Sequence, residues 1–343
     1  MAVLGTPRPL LRLLVGAPVR APEGYVLDLQ GQAQLWLMRL SGQPELHERG
    51  VEGGRRTLDR IAPILDVQGV DDVVSVDRTV AGAEGPRPAR VYTPQRRRGA
   101  PAPGLVWFHG GGFVVGSIES HDGVCRALAS RSGAVVIAVD YRLAPEHRFP
   151  AGLDDAIAAT RWVLANAASI GIDPAAVGVG GDSAGANLAA EVALALRKAP
   201  VEPVFQLLVY PVTDFTRSLP SHRFFAHGFM LPEPTVLWFR ELYLADPKQR
   251  TDPRVSPLFA QDLSGLPPAL VVTAGFDPLR DEGRAYADRL RDAGVAVEYT
   301  CSEGSMHGFL NTAGVIDESA RVLDLVANRL RAALVPRVAA LSA

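Results

Sequence analysis

From Pro103 onward the chain alternates short, uninterrupted apolar runs with longer stretches of helical periodicity, and this alternation limits the fold more than any other feature. Leu105-Val106-Trp107-Phe108, Ala134 to Val139, Val177-Gly178-Val179, Gln206 to Tyr210, Leu270 to Thr273 and Val295 to Tyr299 each have the length of a buried strand. Helical patterns lie between most of them, at about 120–131, 152–168, 184–198 and 280–293, with a last one near 317–334. Strands that are apolar throughout must be covered on both faces, so the pattern predicts a mostly parallel sheet with helices on either side. Val73-Val74-Ser75-Val76 and Arg90-Val91-Tyr92, separated by a Gly/Pro turn region, read as two short strands ahead of it.

Two regions stand outside the alternation. The first 65 or so residues read as helical: Leu27, Leu29, Leu35, Leu37, Met38 and Leu40 lean toward one face, and Leu58, Ile61, Ile64 and Leu65 recur at helical spacing. Between Tyr210 and Leu270 lie some 60 residues rich in proline and aromatics, including Phe224, Phe225, Phe229, Trp238, Phe239 and Tyr243. A structureless loop of that length is uncommon inside a compact domain. The interval is therefore expected to fold as helices outside the sheet and, with the N-terminal helices, to form a lid over the carboxyl ends of the strands. The implied division is an N-terminal cap segment (1–65), a first core part (66–213), a cap insertion (214–255) and a second core part (256–343).

Composition excludes several function classes. With 48% apolar and 21% charged residues the chain is globular rather than disordered or fibrous. Thirty-five basic against 37 acidic residues leave a net charge of −2, so no net field favours nucleic acid or an anionic membrane. The one local basic cluster, Arg96-Arg97-Arg98 beside Gly99, reads as a solvated loop. Two cysteines, Cys125 and Cys301, can build neither a disulfide framework nor a zinc ribbon, and fit the reduced thiols of a cytoplasmic protein. The Leu-rich stretch Leu10 to Val15 is broken by Arg12 and is shorter than a signal-peptide core. No run of about 18 apolar residues exists, so no membrane span is expected.

In a sheet of this kind ligands bind at the carboxyl ends of the strands, so the residues that follow each strand carry the functional signal. After Val177–Val179 comes Gly180-Gly181-Asp182-Ser183-Ala184-Gly185 and then a helical run. G-x-S-x-G between a strand and a helix is the context of a nucleophile elbow, with Ser183 as the nucleophile. After Leu105–Phe108 comes His109-Gly110-Gly111-Gly112-Phe113, whose glycines let backbone amides approach a ligand closely. An oxyanion hole for acyl transfer needs such amides together with that of the residue after the nucleophile, Ala184. Either glycine motif alone could be a plain turn; two matching motifs on separate strands point to one site.

A serine hydroxyl is a poor nucleophile until a base takes its proton, and the base must be oriented by a carboxylate. Asp277 follows the Leu270–Thr273 strand, and His307 follows the Val295–Tyr299 strand, in the order Ser, acid, His. Asp281 and Glu282 compete as acids, but they lie past Pro278 and read as first-turn acids of the next helix. His109 reads as a brace for its loop, and Asp182 as a hydrogen-bonding brace beside the nucleophile. No histidine stands in a metal-ligand spacing, so no catalytic metal is expected.

These residues resemble the hormone-sensitive-lipase-like family of α/β-hydrolases, the bacterial family IV carboxylesterases. The resemblance is carried by five stretches in order: His109 to Phe113, Asp140-Tyr141-Arg142-Leu143-Ala144-Pro145-Glu146, Gly181 to Gly185, Asp277-Pro278-Leu279-Arg280-Asp281-Glu282-Gly283 and His307-Gly308-Phe309. It covers roughly residues 70–330 and departs at Ala186, where the family often has a third glycine. It implies an α/β-hydrolase fold with a helical cap, Ser183 as nucleophile, His307 as base and Asp277 as its partner. It further implies an oxyanion hole from the amides of Gly111, Gly112 and Ala184, with Gly110 a weaker candidate. By the same resemblance there is no cofactor, the partner is a small-molecule ester of short to medium acyl chain, and Asp140 to Glu146 brace the site. The sequence itself leaves a homodimer open. Alternatives on the same scaffold are an amidase or arylformamide hydrolase with the same triad, and a non-catalytic small-molecule receptor. Receptors of this fold typically lack the base, whereas His307 is present.

Overall fold

The strands β1 (Val73–Gly82), β2 (Gly85–Pro94), β3 (Ala102–Phe108), β4 (Val135–Val139), β5 (Ile172–Asp182), β6 (Gln206–Val209), β7 (Ala269–Phe276) and β8 (Val297–Met306) form one sheet. Their spatial order is β1-β2-β4-β3-β5-β6-β7-β8. This computed structural model describes residues 4–95 and 101–341, so the Arg96–Arg98 cluster lies outside the described residues. β1 and β2 form an antiparallel hairpin, β2 runs antiparallel to β4, and every pairing from β4 through β8 is parallel. The two strands expected to be short are ten residues each, registered from Val73 opposite Pro94 to Gly82 opposite Gly85. Charged residues such as Asp77, Arg78 and Arg87 hide that length from a hydrophobicity reading, because the hairpin stands largely in solvent.

The helices are α1 (Arg8–Val15), α2 (Leu29–Ser41), α3 (Gly50–Leu65), α4 (Asp122–Ser132), α5 (Ala151–Asn166), α6 (Ala184–Leu196), α7 (Ser221–Phe224), α8 (Glu233–Tyr243), α9 (Arg280–Asp292) and α10 (Asp317–Leu341). α5, α6 and α9 cover one face, where Val106 and Phe108 of β3 meet Leu153, Val163, Leu188, Val192 and Leu290. α4 and α10 cover the other, where Leu105 and Trp107 meet Leu128, Leu323, Val326 and Leu330. The period of two along β3 thus serves two cores, and each such side chain contributes roughly 1.5–3 kcal/mol on burial.

From β3 the chain crosses to β4 on one side and then returns to β5 on the other. The crevice at the carboxyl ends of β3 and β5 is therefore the point where strand order reverses, the place where such sheets bind ligands.

α2 corrects the reading of its apolar residues. Leu29 and Ala33 face Leu4 and Leu11 on one side, while Leu35 faces Phe225, Phe276 and Met306 on another. Met38 and Leu40 stay 46% and 65% exposed. A helix packed on two sides has no single stripe. The interval between β6 and β7 is helical only in part: α7, α8 and two short 3₁₀ helices, Pro247–Thr251 and Pro257–Phe259, are joined by turns and irregular backbone. Side chains from the core satisfy that backbone: Asn187 Nδ2 donates to the carbonyls of Val212 and Val255, both at 2.9 Å. Arg148 donates to Glu241 O and Leu244 O.

Candidate active site

β5 ends at Asp182 and α6 begins at Ala184, leaving Ser183 alone on the turn at φ 54°, ψ −118°. That is a strained conformation for a residue with a Cβ, and it projects the hydroxyl away from the sheet. The close approach explains the flanking glycines: a Cβ on Gly185 would lie 1.9 Å from Phe108 O, and one on Gly181 2.4 Å from the Gly185 carbonyl carbon. Ser183 N donates to Val209 O at 2.9 Å, which fixes the turn to the neighbouring strand.

The loops after β7 and β8 bring two further side chains to this point. His307 Nε2 lies 3.0 Å from Ser183 Oγ, and its Nδ1 lies 2.8 Å from Asp277 Oδ2. Asp277 is fully buried, and its other oxygen accepts the Leu279 amide at 2.8 Å. With Nδ1 donating to the carboxylate, Nε2 is left as the acceptor facing the serine hydroxyl. Asp281 accepts from Ser221 N and Arg280 instead, and Glu282 from Thr213 N at 2.6 Å. Both do open α9, but Glu282 is fully buried and stands 2.5 Å from His222.

Of the four amides singled out in the sequence, three are open. The N–H groups of Gly111, Gly112 and Ala184 have no acceptor among the described residues. Gly110 is a correction: its N–H donates to Asp182 Oδ1 at 2.9 Å and is not free to meet a ligand. Gly112 sits at φ 59°, and a Cβ there would lie 2.2 Å from the ring of Phe239 on α8. That phenyl therefore rests directly on the glycine loop.

Behind the loop lies a layer that the sequence only partly disclosed. Asp182 is a brace, as read, but its charged partner is His121, whose Nε2 stands 3.2 Å from Oδ1 with both side chains buried. Burial alone would push the Asp182 carboxyl up; the His121 charge and the hydrogen bonds from His121 and Gly110 outweigh it and hold the group below its ordinary value. Tyr141 donates to His109 O at 2.7 Å, and its ring stacks on the imidazole. Burial drives the pKa of His109 down to about 4, so it is neutral near pH 7. Arg142 binds Asp155 and Glu84, and Glu146 takes two bonds from Arg55 of α3. His121 carries no signal of its own in sequence; the only clue is that a carboxylate beside the elbow needs a cation. Among the described residues no group of three or more His, Cys, Asp and Glu side chains could hold a metal ion.

A profile of the alpha/beta hydrolase fold matches residues 105–311. Carboxylic ester hydrolase LipN of Mycobacterium tuberculosis (strain ATCC 25618 / H37Rv) is 41% identical over 313 residues, covering 89% of this chain and 82% of its own. Ethyl acetate hydrolase of Pseudomonas putida is 42% identical over 247 residues, covering 71% of this chain and 78% of its own. Among solved structures, an alpha/beta hydrolase enzyme from the metagenome of Lake Arreo superposes with a TM-score of 0.85 at 41% identity, over 89% of this chain and 98% of that one. The Pyrobaculum calidifontis esterase does so with a TM-score of 0.80 at 39% identity, over 88% and 97%. Fold and loop arrangement define the class as an α/β-hydrolase. The chain belongs to that family, in its hormone-sensitive-lipase-like branch.

Proposed function

We propose that the protein hydrolyses short- to medium-chain carboxylic esters through an acyl-enzyme on Ser183. That it is a carboxylic ester hydrolase follows from its family and from relatives of that activity at 41–44% identity. The observation that carries the residue roles is the chain of contacts Asp277–His307–Ser183, at 2.8 and 3.0 Å, on three separate loops. His307 Nε2 takes the Ser183 proton as Oγ attacks the ester carbonyl, while Asp277 holds the imidazole and balances its charge. The amides of Gly111, Gly112 and Ala184 receive the developing oxyanion. His307 then returns the proton to the departing alcohol oxygen, and water attacks the acyl-enzyme by the same steps in reverse.

The N-terminal segment and residues 214–255 act in this reading as the cap. Its support is that Phe239 covers Gly112 and that Arg280, just past Asp277, is clasped by Glu23 at 2.6 and 3.0 Å. No helix among the described residues is long and apolar enough to cross a membrane. Free thiols at Cys125 and Cys301 support a cytoplasmic location, and β8, the last strand of the sheet, offers a surface for a homodimer outside the stretch where Asp28 N donates to Gly304 O. A p-nitrophenyl ester series from acetate to palmitate tests activity and acyl preference together. Turnover of one acyl group offered as ester and as amide separates an esterase from an amidase. No burst or turnover on any of these esters would overturn the reading.

A further inference from the structure

The glycine loop, the nucleophile turn and the ring that neighbours the base all meet the buried carboxylate of Asp182. Its Oδ1 accepts the Gly110 amide at 2.9 Å, one residue before the open amides of Gly111 and Gly112. Its Oδ2 accepts the Tyr210 hydroxyl at 3.4 Å, and the Tyr210 ring lies 4.7 Å from that of His307. Ser183 is the next residue in the chain. A Cβ on Gly110 would lie 2.5 Å from Oδ2, so the loop sits directly on this group.

A buried carboxylate keeps its charge only with a counter-charge, and here that comes from outside the triad. His121 places Nε2 3.2 Å from Asp182 Oδ1 and Nδ1 2.9 Å from Ser120 Oγ. Ser120 Oγ donates to Ser117 O, which leaves it an acceptor for Nδ1–H. Asn311 sets its carboxamide 3.3 Å from the same Nε2, and its buried Oδ1 has no other partner among the described residues. That oxygen, turned toward the ring, is a second acceptor for Nε2–H. Both ring nitrogens thus have acceptors, as an imidazolium requires. Burial opposes the charge on His121, but Asp182 and then Asp66, at the end of α3, outweigh it. His109, whose ring centre lies 5.6 Å away, is kept neutral by burial, and so is the Cys125 thiol near both carboxylates. Asp66, pushed up to about 6 by burial, is ionised throughout the alkaline range.

We propose that His121 is a positioning residue for ester hydrolysis: its charged imidazole pairs Asp182, and Asp182 in turn holds the glycine loop, the nucleophile turn and Tyr210 in place. This rests on the serine-esterase reading above. When His121 gives up its proton, Asp182 is left as an unpaired buried carboxylate that draws in water, and its bond to Gly110 no longer fixes the loop. The oxyanion amides then lose their preset position. The loss falls on the transition state rather than on ground-state binding.

The test is the pH profile of kcat and KM on p-nitrophenyl butyrate between about pH 5 and pH 10, with circular dichroism confirming the fold at each pH. Wild-type kcat should rise as His307 becomes the free base. On the alkaline side it should fall by about tenfold or more, with KM within about twofold. His121→Gln, uncharged at every pH, should start about tenfold or more lower at neutral pH and show no alkaline fall. Asp66→Asn should move the wild-type fall to lower pH, because Asp66 helps to hold the His121 charge. Absence of turnover at every pH overturns the esterase reading and this proposal with it. Turnover without an alkaline fall, or a His121→Gln profile that matches wild type, overturns the role of His121 alone. If His121→Gln does not fold, Asp66→Asn decides: a fall moved to lower pH supports the role, and a fall left in place overturns it.

Discussion

The His121 imidazole stands 3.2 Å from the carboxylate of Asp182, the residue immediately before Ser183, and neither side chain reaches solvent. Burial works against the charged imidazole, but the Asp182 charge and hydrogen bond, with help from Asp66, hold the His121 pKa above its ordinary value. His121 thus contributes stability that is complete below about pH 6.5 and is lost as the pH rises through its higher folded value. Asp182, held low, contributes stability that is present above about pH 3.8 and is lost as the pH falls through its lower folded value. Between those limits the pair is fully charged. Removing one partner of a buried pair costs about 3–5 kcal/mol. His121→Gln should therefore lower urea-unfolding stability by that order at pH 6, and the gap to wild type should narrow at pH 9. A variant as stable as wild type at pH 6 would show that the pair is not ionised in the folded protein.

Ser183→Ala and His307→Ala should each reduce kcat by about 10⁶-fold, because residues that act as a unit are not additive. Asp277→Asn should cost about 10⁴-fold, since the base remains but loses its orientation. Asp281→Asn should leave kcat within a few-fold of wild type, because Asp281 caps Ser221 and pairs with Arg280. Steady-state rates on p-nitrophenyl butyrate check all four. If Asp281→Asn is the more damaging change, the acid is misassigned.

How far the sequence could be read depended on what each residue answers to. Ser183, Asp277 and His307 stood out because each follows its own strand in a glycine- or proline-marked loop, and position after a strand is a local signal. The six apolar runs from Leu105 onward all lie within strands or at their ends for the same reason. Gly110 could not be separated from Gly111 and Gly112, because the acceptor that takes its amide lies 72 residues away. His121 has no local marker, because its partner Asp182 belongs to another motif. Glu282 looked like an ordinary first-turn acid, whereas its carboxylate ties α9 to Thr213, Asp214 and His222. Pairings made across the fold leave no trace in local spacing.

Gly112 and Phe239 supply a test of the glycine loop that does not touch the triad. Gly112→Ala places a methyl group against the Phe239 ring at a φ of 59° that alanine rarely adopts. The loop must shift, and losing one oxyanion donor typically costs 10²–10³-fold in kcat, so a fall of about that size is expected. Phe239→Ala in the same chain removes the clash but not the backbone strain, so it should recover part of the loss. A double variant no better than Gly112→Ala would mean that the backbone conformation, not the phenyl, sets the whole effect.

The last expectation concerns residues 1–45. Leu27 and Leu35 cover Phe225, Phe276 and Met306, and Glu23 clasps Arg280, so this segment closes an apolar flank next to His307. An acyl pocket of limited depth should make kcat/KM climb by about fourfold per methylene, from about 0.8 kcal/mol of transfer free energy, until the pocket is full, and then fall. Without residues 1–45 the flank opens. The truncated protein should either lose its optimum and accept longer p-nitrophenyl esters, or aggregate through the exposed Phe225, Phe276 and Met306. Circular dichroism and light scattering distinguish the two outcomes. A truncated enzyme that stays monodisperse and keeps the wild-type chain-length profile would remove the N-terminal segment from the cap.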